Sequence, residues 1–153
     1  MKSLRRFAVV AGTLATVLLV ALTSRATAPA GRYTFPVAGV VFDTKTGLTW
    51  QQKVAGGAVA EPTGSMNCGA TSLNGAAGRL PTLQELLTIV DYAQTSGALV
   101  DSAAFPSTAT DNYYCTSTPF AGLATGIWAV HFGDASTLSQ DYTTGVCYAR
   151  CVR

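Results

Sequence analysis

The chain has 153 residues, 10 of them Lys or Arg and 8 Asp or Glu, for a formal charge of +2. That length holds one domain. The basic excess sits at the start: Lys2, Arg5, Arg6 and Arg25 precede residue 31, so residues 31–153 carry six basic and eight acidic side chains, a charge of −2. No basic patch remains there to draw nucleic acid or an anionic surface, and there is no phosphate loop or dinucleotide motif.

The opening segment reads as a secretory signal peptide. Lys2, Arg5 and Arg6 are followed by an apolar run from Phe7 to Leu22, then by small residues with candidate cuts after Ala28 and Ala30, the three-part pattern of such a leader. The cut after Ala30 is preferred because the earlier one would leave Pro29 first. The apolar run is short of the ~20 residues that span a bilayer. The expected organisation is a signal peptide over 1–30 and a single domain over 31–153. The product would be secreted, periplasmic or on the cell surface, meeting membrane only through the signal segment if it stays uncleaved. Cys68, Cys115, Cys147 and Cys151 all lie beyond the leader, and an even count in an exported chain favours two disulfides. A zinc site with His131 is the weaker reading, because familiar zinc modules place ligands in close pairs at both ends.

In chain order, Val40–Phe42 and Leu48–Trp50 flank Asp43-Thr44-Lys45-Thr46-Gly47, turn chemistry between two short strands. Residues 53–78 read as loop with a poor helix near Cys68. Thr82 with Glu85 three residues on forms a capping box. Leu83, Leu86, Leu87 and Val90 then share a face, which predicts a helix to Tyr92 or Gln94. Residues 105–110 are loop, and Tyr113–Thr118 is β-prone. In Ile127–Phe132 the face with Trp128, Val130 and Phe132 is the expected core side. Gly133-Asp134 turns the chain toward a partner strand at Thr137–Ser139, and Val146–Val152 is expected as a final strand. The class is α+β, short helices packed on small antiparallel sheets. On an extended strand Cys147 and Cys151 lie ~13 Å apart, beyond the ~7 Å that a disulfide bridges. Two connectivities remain, each tying the last strand to Cys68 and Cys115.

The set of short motifs resembles a known domain. Asp43-Thr44-Lys45-Thr46-Gly47-Leu48-Thr49-Trp50-Gln51, Gly78-Arg79-Leu80-Pro81-Thr82-Leu83-Gln84-Glu85-Leu86, Val90-Asp91-Tyr92, Phe105-Pro106, Tyr113–Thr118, Trp128–Phe132 and Ala149–Arg153 occur in the order found in the C-terminal domain of the Legionella collagen-like adhesin. The likeness covers roughly residues 38–153. It implies a C-type-lectin-like fold whose late strand returns beside the N-terminal strands, and a Cys68–Cys151 disulfide. Cys115 stands where that family usually has Trp, which implies an added bond to Cys147. The collagen repeats are absent, so trimerisation and surface display are not implied.

The residues offer little catalytic chemistry. His131 is the sole histidine, in a strand with no nucleophile elbow in the chain, and reads as a polar strand residue. Asp91 and Asp101 are candidate paired acids with nothing in the sequence to join them. Calcium-dependent sugar binding needs converging oxygen ligands; Glu61-Pro62-Thr63 comes too early, and Trp128 is followed by Ala129-Val130. Arg79 is a candidate anion clamp, though a backbone or carboxylate partner is the better structural reading. Trp50 and Trp128 read as core. Phe120, in the loop 117–126, is the candidate apolar contact. The expectation is a non-catalytic binding or adhesion module without cofactor, its partner a surface glycan or protein. A structural subunit of an envelope assembly is the alternative. A third is a small thiol enzyme of the formylglycine-generating kind, which needs Cys115 or Cys147 free.

Overall fold

The computed structural model describes residues 28–153. The segment read as a signal peptide therefore lies, up to residue 27, outside the described residues, and no described helix is long and apolar enough to cross a membrane.

Strands β1 (Tyr33–Thr34), β2 (Val40–Asp43) and β3 (Leu48–Gln51) form an antiparallel sheet with β2 central. The β2–β3 hairpin closes where expected: Gly47 takes φ +74, and the Asp43 carboxylate accepts the Lys45 N–H at 2.9 Å. Side chains of successive β2 residues point to opposite faces, and both faces are covered. Val41 joins a core with Trp50, Leu86, Phe105, Tyr114, Phe132 and Val152; Val40 joins a second core built around the four cysteines.

Helix α1 (Glu61–Ala70) is the helix expected near Cys68, and its Pro62 sits in the first turn, where a missing N–H is tolerated. A small hairpin comes next, β4 (Ser72–Leu73) and β5 (Ala76–Ala77). Asn74 and Gly75 both have positive φ, 53° and 86°, as a two-residue hairpin turn requires. Helix α2 (Leu83–Leu87) starts at the Thr82 capping box but stops well short of Tyr92. Ile89 and Val90 donate to Leu86 and Leu87, three residues back, and Asp91 N–H donates to the Leu99 carbonyl at 2.8 Å. The chain thus leaves the helix to join the 98–100 segment, which hangs on Phe132 through Leu99 N–H at 2.7 Å.

The third sheet has the order β6 (Tyr114–Pro119), β7 (Gly126–Val130), β8 (Thr137–Asp141). Central β7 buries both faces rather than one: Val130 faces the first core and Ile127 the cysteine core. Trp128, expected in the core, is only half-buried, in the middle of β7.

The final segment also differs from expectation. It is extended, but no continuous strand forms. Cys147 bridges Val59, Tyr148 bridges Tyr114, and Val152 bridges both Trp50 and Arg79. Four partners from different parts of the chain surround one short peptide, so it ties the first sheet, α1 and the third sheet together. Arg150 in its middle is 1 % exposed. It donates to the carbonyls of Gln51 (3.1 Å) and Gln52 (2.9 Å) and to the Thr108 hydroxyl (2.8 Å). Its guanidinium carbon lies 4.9 Å from the Phe105 ring centre and 5.6 Å from that of Tyr114. Burial pushes its pKa down, yet a guanidinium stays charged at neutral pH.

Candidate functional site

The disulfides are Cys68–Cys151 and Cys115–Cys147, with Cα separations of 5.2 and 5.5 Å. No cysteine is free. Both bonds end on the C-terminal segment, and all four residues are buried.

Phe120 and Trp128 meet edge to face at 5.3 Å across the β6–β7 connection. The turn closes through Phe120 N–H to Gly126 carbonyl and Gly126 N–H to Leu123 carbonyl, each 2.8 Å. Gly122 lies against the Phe120 ring, and a Cβ on it would sit 2.6 Å from the ring edge and push the ring aside. Phe120 is therefore half-buried under its own turn, and Leu123, 43 % exposed, is the apolar tip.

Arg79 is held by its own neighbourhood. It donates to both oxygens of Glu85 (2.8 and 2.6 Å) and to the Leu80 carbonyl (3.1 Å), the carboxylate and backbone partners of the structural reading. Glu85 in turn accepts the Thr82 N–H at 2.8 Å. The Arg79 hydrogen bond, outweighing partial burial and joined by the Thr82 N–H, holds the Glu85 pKa at about 2 rather than 4.5. A carboxylate whose pKa is depressed by folding stabilises the protein above its unfolded pKa and loses that contribution as pH falls through the folded value. Thermal melts should therefore fall between pH 4.5 and about 2. Glu85→Gln should remove part of that fall and cost about 1 kcal/mol at neutral pH through the weakened cap. Identical pH profiles for the two proteins would contradict this.

Asp91 and Asp101, which nothing in the sequence joins, line one cavity of about 130 Å³ with Arg32 and Tyr33. Each carboxylate is already committed: Asp91 to Ala93 N–H and the Gln94 amide, Asp101 to the N–H groups of Ala103 and Ala104. They act as turn caps. His131 joins Asp134 (2.8 Å) and the Thr110 carbonyl (3.0 Å), pinning a loop to the turn after β7; it is the polar residue expected, but β7 ends at Val130 and His131 lies just beyond the strand. Among the described residues no cluster of three or more His, Cys, Asp or Glu could hold a metal ion.

The largest opening among these sites is a cleft of about 350 Å³ that the sequence reading missed. Its walls are α1, through Asn67 and Thr71, and the loop after β3, through Gly56 and Gly57; its floor is Ala149 and Cys151. Gly64 lets α1 approach this floor, since a Cβ there would meet the Ala149 Cβ at 3.1 Å. The glycine-rich loop was the signal available in the sequence, but its partner lies some ninety residues on, at Ala149.

The fold is that of a small α+β domain stapled twice to its own C-terminal segment. The family model for the Lcl C-terminal domain matches residues 39–153, and the chain belongs to that family. Comparison with curated proteins and with solved structures found no match.

Proposed function

We propose that this protein is an exported, non-catalytic binding or adhesion module of the cell surface or periplasm. Membership of the Lcl C-terminal domain family over 39–153 carries this reading. Two disulfides suit an oxidising compartment, and Cys115 and Cys147 are buried and bonded to each other, which weighs against the thiol-enzyme reading. Three of the six cationic side chains of residues 31–153 are held within the fold, and Lys45, Lys53 and Arg153 are exposed. Arg32 pairs with Asp43 at 2.9 Å, Arg79 with Glu85, and Arg150 is buried.

An array of glycans and envelope or matrix polymers, read with the oxidised protein, tests this. Retention of a ligand is expected, and Leu123→Ser or Phe120→Ala should weaken it about fivefold or more if the 117–126 loop makes the contact. Leu123→Ser should leave the melting temperature nearly unchanged, because its side chain is exposed. No retained ligand anywhere on the array would sink the reading. The alternative, a subunit of an envelope assembly, draws on exposed Phe35 and Val37, 53 % and 45 % accessible beside β1; crosslinking in the native envelope would then capture a partner through that edge.

A further inference from the structure

One side of the C-terminal segment forms a hydrogen-bond ladder with a rung missing. Cys147 exchanges both backbone bonds with Val59, at 2.9 and 2.8 Å. Cys151 accepts from Gln51 N–H at 2.9 Å and donates to the Gln51 side-chain carbonyl at 3.2 Å. Arg153 exchanges both bonds with Thr49, at 2.9 Å each. Alternate residues of an extended chain direct their N–H and C=O to the same side. Ala149 belongs to this row, between Cys147 and Cys151, and neither its N–H nor its C=O has a protein partner. The strand that supplies the other rungs leaves after Gln52 and returns at Val59, and the 350 Å³ cleft is the opening it leaves at Ala149.

We propose that this cleft binds a short, uncharged stretch of extended peptide from another molecule, whose main chain supplies the missing rung at Ala149. The inference rests on the reading of the protein as a binding module and names a site and ligand class for it. Peptide addition to an exposed edge takes its affinity from main-chain hydrogen bonds and its selectivity from the surrounding side chains. The nine lining residues include no charge and no aromatic ring. Acidic or basic segments thus gain no ion pair, and a sugar ring finds no face to stack on. The available groups are amide-like. Asn67 has an exposed side-chain amide with no hydrogen bond. Gln51 has committed only its carbonyl oxygen and keeps its NH₂. Thr71 donates to the Asn67 carbonyl at 2.8 Å and keeps its acceptor capacity. The volume lies at the low end for ligand sites, which restricts the seated residues to small side chains.

The test is an amide-resolved NMR titration of the ¹⁵N-labelled protein with both disulfides formed. Three probes are used: an acetylated, amidated tetrapeptide of alanine, serine and glycine; the same peptide with two aspartates; and an N-acetylated trisaccharide. The neutral peptide should shift the amides of Ala149, Gly56 and Gly57 and slow hydrogen exchange at Ala149 about tenfold or more at saturation. Asn67→Arg and Gly57→Leu should each weaken it about tenfold. Neither disturbs the fold, since the Asn67 side chain holds nothing and a Cβ at Gly57 meets no atom within 4 Å. Slow exchange at Ala149 in the free protein, no shift at saturating neutral peptide, or shifts at Ala149 from the trisaccharide or the aspartate peptide alone would each overturn the proposal. Shifts confined to 117–126 would overturn it too, while leaving the binding-module reading intact.

Discussion

Replacing Cys68 and Cys151 together by serine is expected to be among the most damaging changes, a loss of about 4.5 kcal/mol on the chain-entropy model for a bond separated by 83 residues. The corresponding Cys115/Cys147 pair, 32 residues apart, should cost about 3.7 kcal/mol. Pairs are compared so that no thiol is left to reshuffle. The native-state consequences rank the bonds the same way. Cys68–Cys151 joins α1 to the segment that also holds β3 and Arg79, whereas Cys115–Cys147 joins β6 to a segment already bonded there through Tyr148 and Cys115 N–H, at 3.0 Å. Urea unfolding under oxidising conditions reads both losses. A larger loss for the Cys115/Cys147 pair would reverse the assignment. Either loss is a large share of the roughly 5–15 kcal/mol that stabilises a typical domain.

Arg150→Ala should cost about 3–5 kcal/mol, comparable to breaking a buried ion pair. The mechanism differs, because the described structure gives Arg150 no carboxylate. Two backbone carbonyls and the Thr108 hydroxyl lose their donor, each such orphan costing roughly 1–3 kcal/mol. The space between Phe105 and Tyr114 is emptied as well. Arg150→Lys should recover only part of the loss: an ammonium is a point charge, without the planar fork that reaches Gln51, Gln52 and Thr108 at once and lies against the rings. The difference in urea midpoint between the three proteins measures this. A loss below about 1 kcal/mol for Arg150→Ala would mean that water replaces the guanidinium, and that the disulfides and backbone bridges hold the segment without it.

Asp43 shows how much of such behaviour is legible in the sequence. Its place at the start of a turn is evident from Asp43-Thr44-Lys45-Thr46-Gly47, and the turn forms as written. Its second role is not. Burial pushes its pKa up, but Arg32, eleven residues earlier, together with the Lys45 N–H, outweighs this and leaves it below the ordinary range. Turn chemistry is a property of adjacent residues, whereas an ion pair depends on which strands lie side by side.

The same division runs through the molecule. Local sequence specifies the β2–β3 hairpin, the Thr82–Glu85 helix start, the α+β class and the exclusion of a Cys147–Cys151 bond. Each comes from steric and hydrogen-bonding rules acting over a few residues. Asn74-Gly75 carries a turn signal of the same kind, though the reading of 53–78 as loop did not include its hairpin. The family likeness, rather than spacing, chose Cys68–Cys151 and Cys115–Cys147. Long-range packing sets where α2 ends, because Leu99 offers Asp91 a better partner than another helical turn. It likewise leaves Trp128 half-buried against Phe120, gives the last segment four partners instead of one, and leaves Ala149 without any. In each of these the outcome for a backbone or ring rests on groups far away in the chain, and a local pattern records only that a group needs a partner, not which distant residue packing will bring.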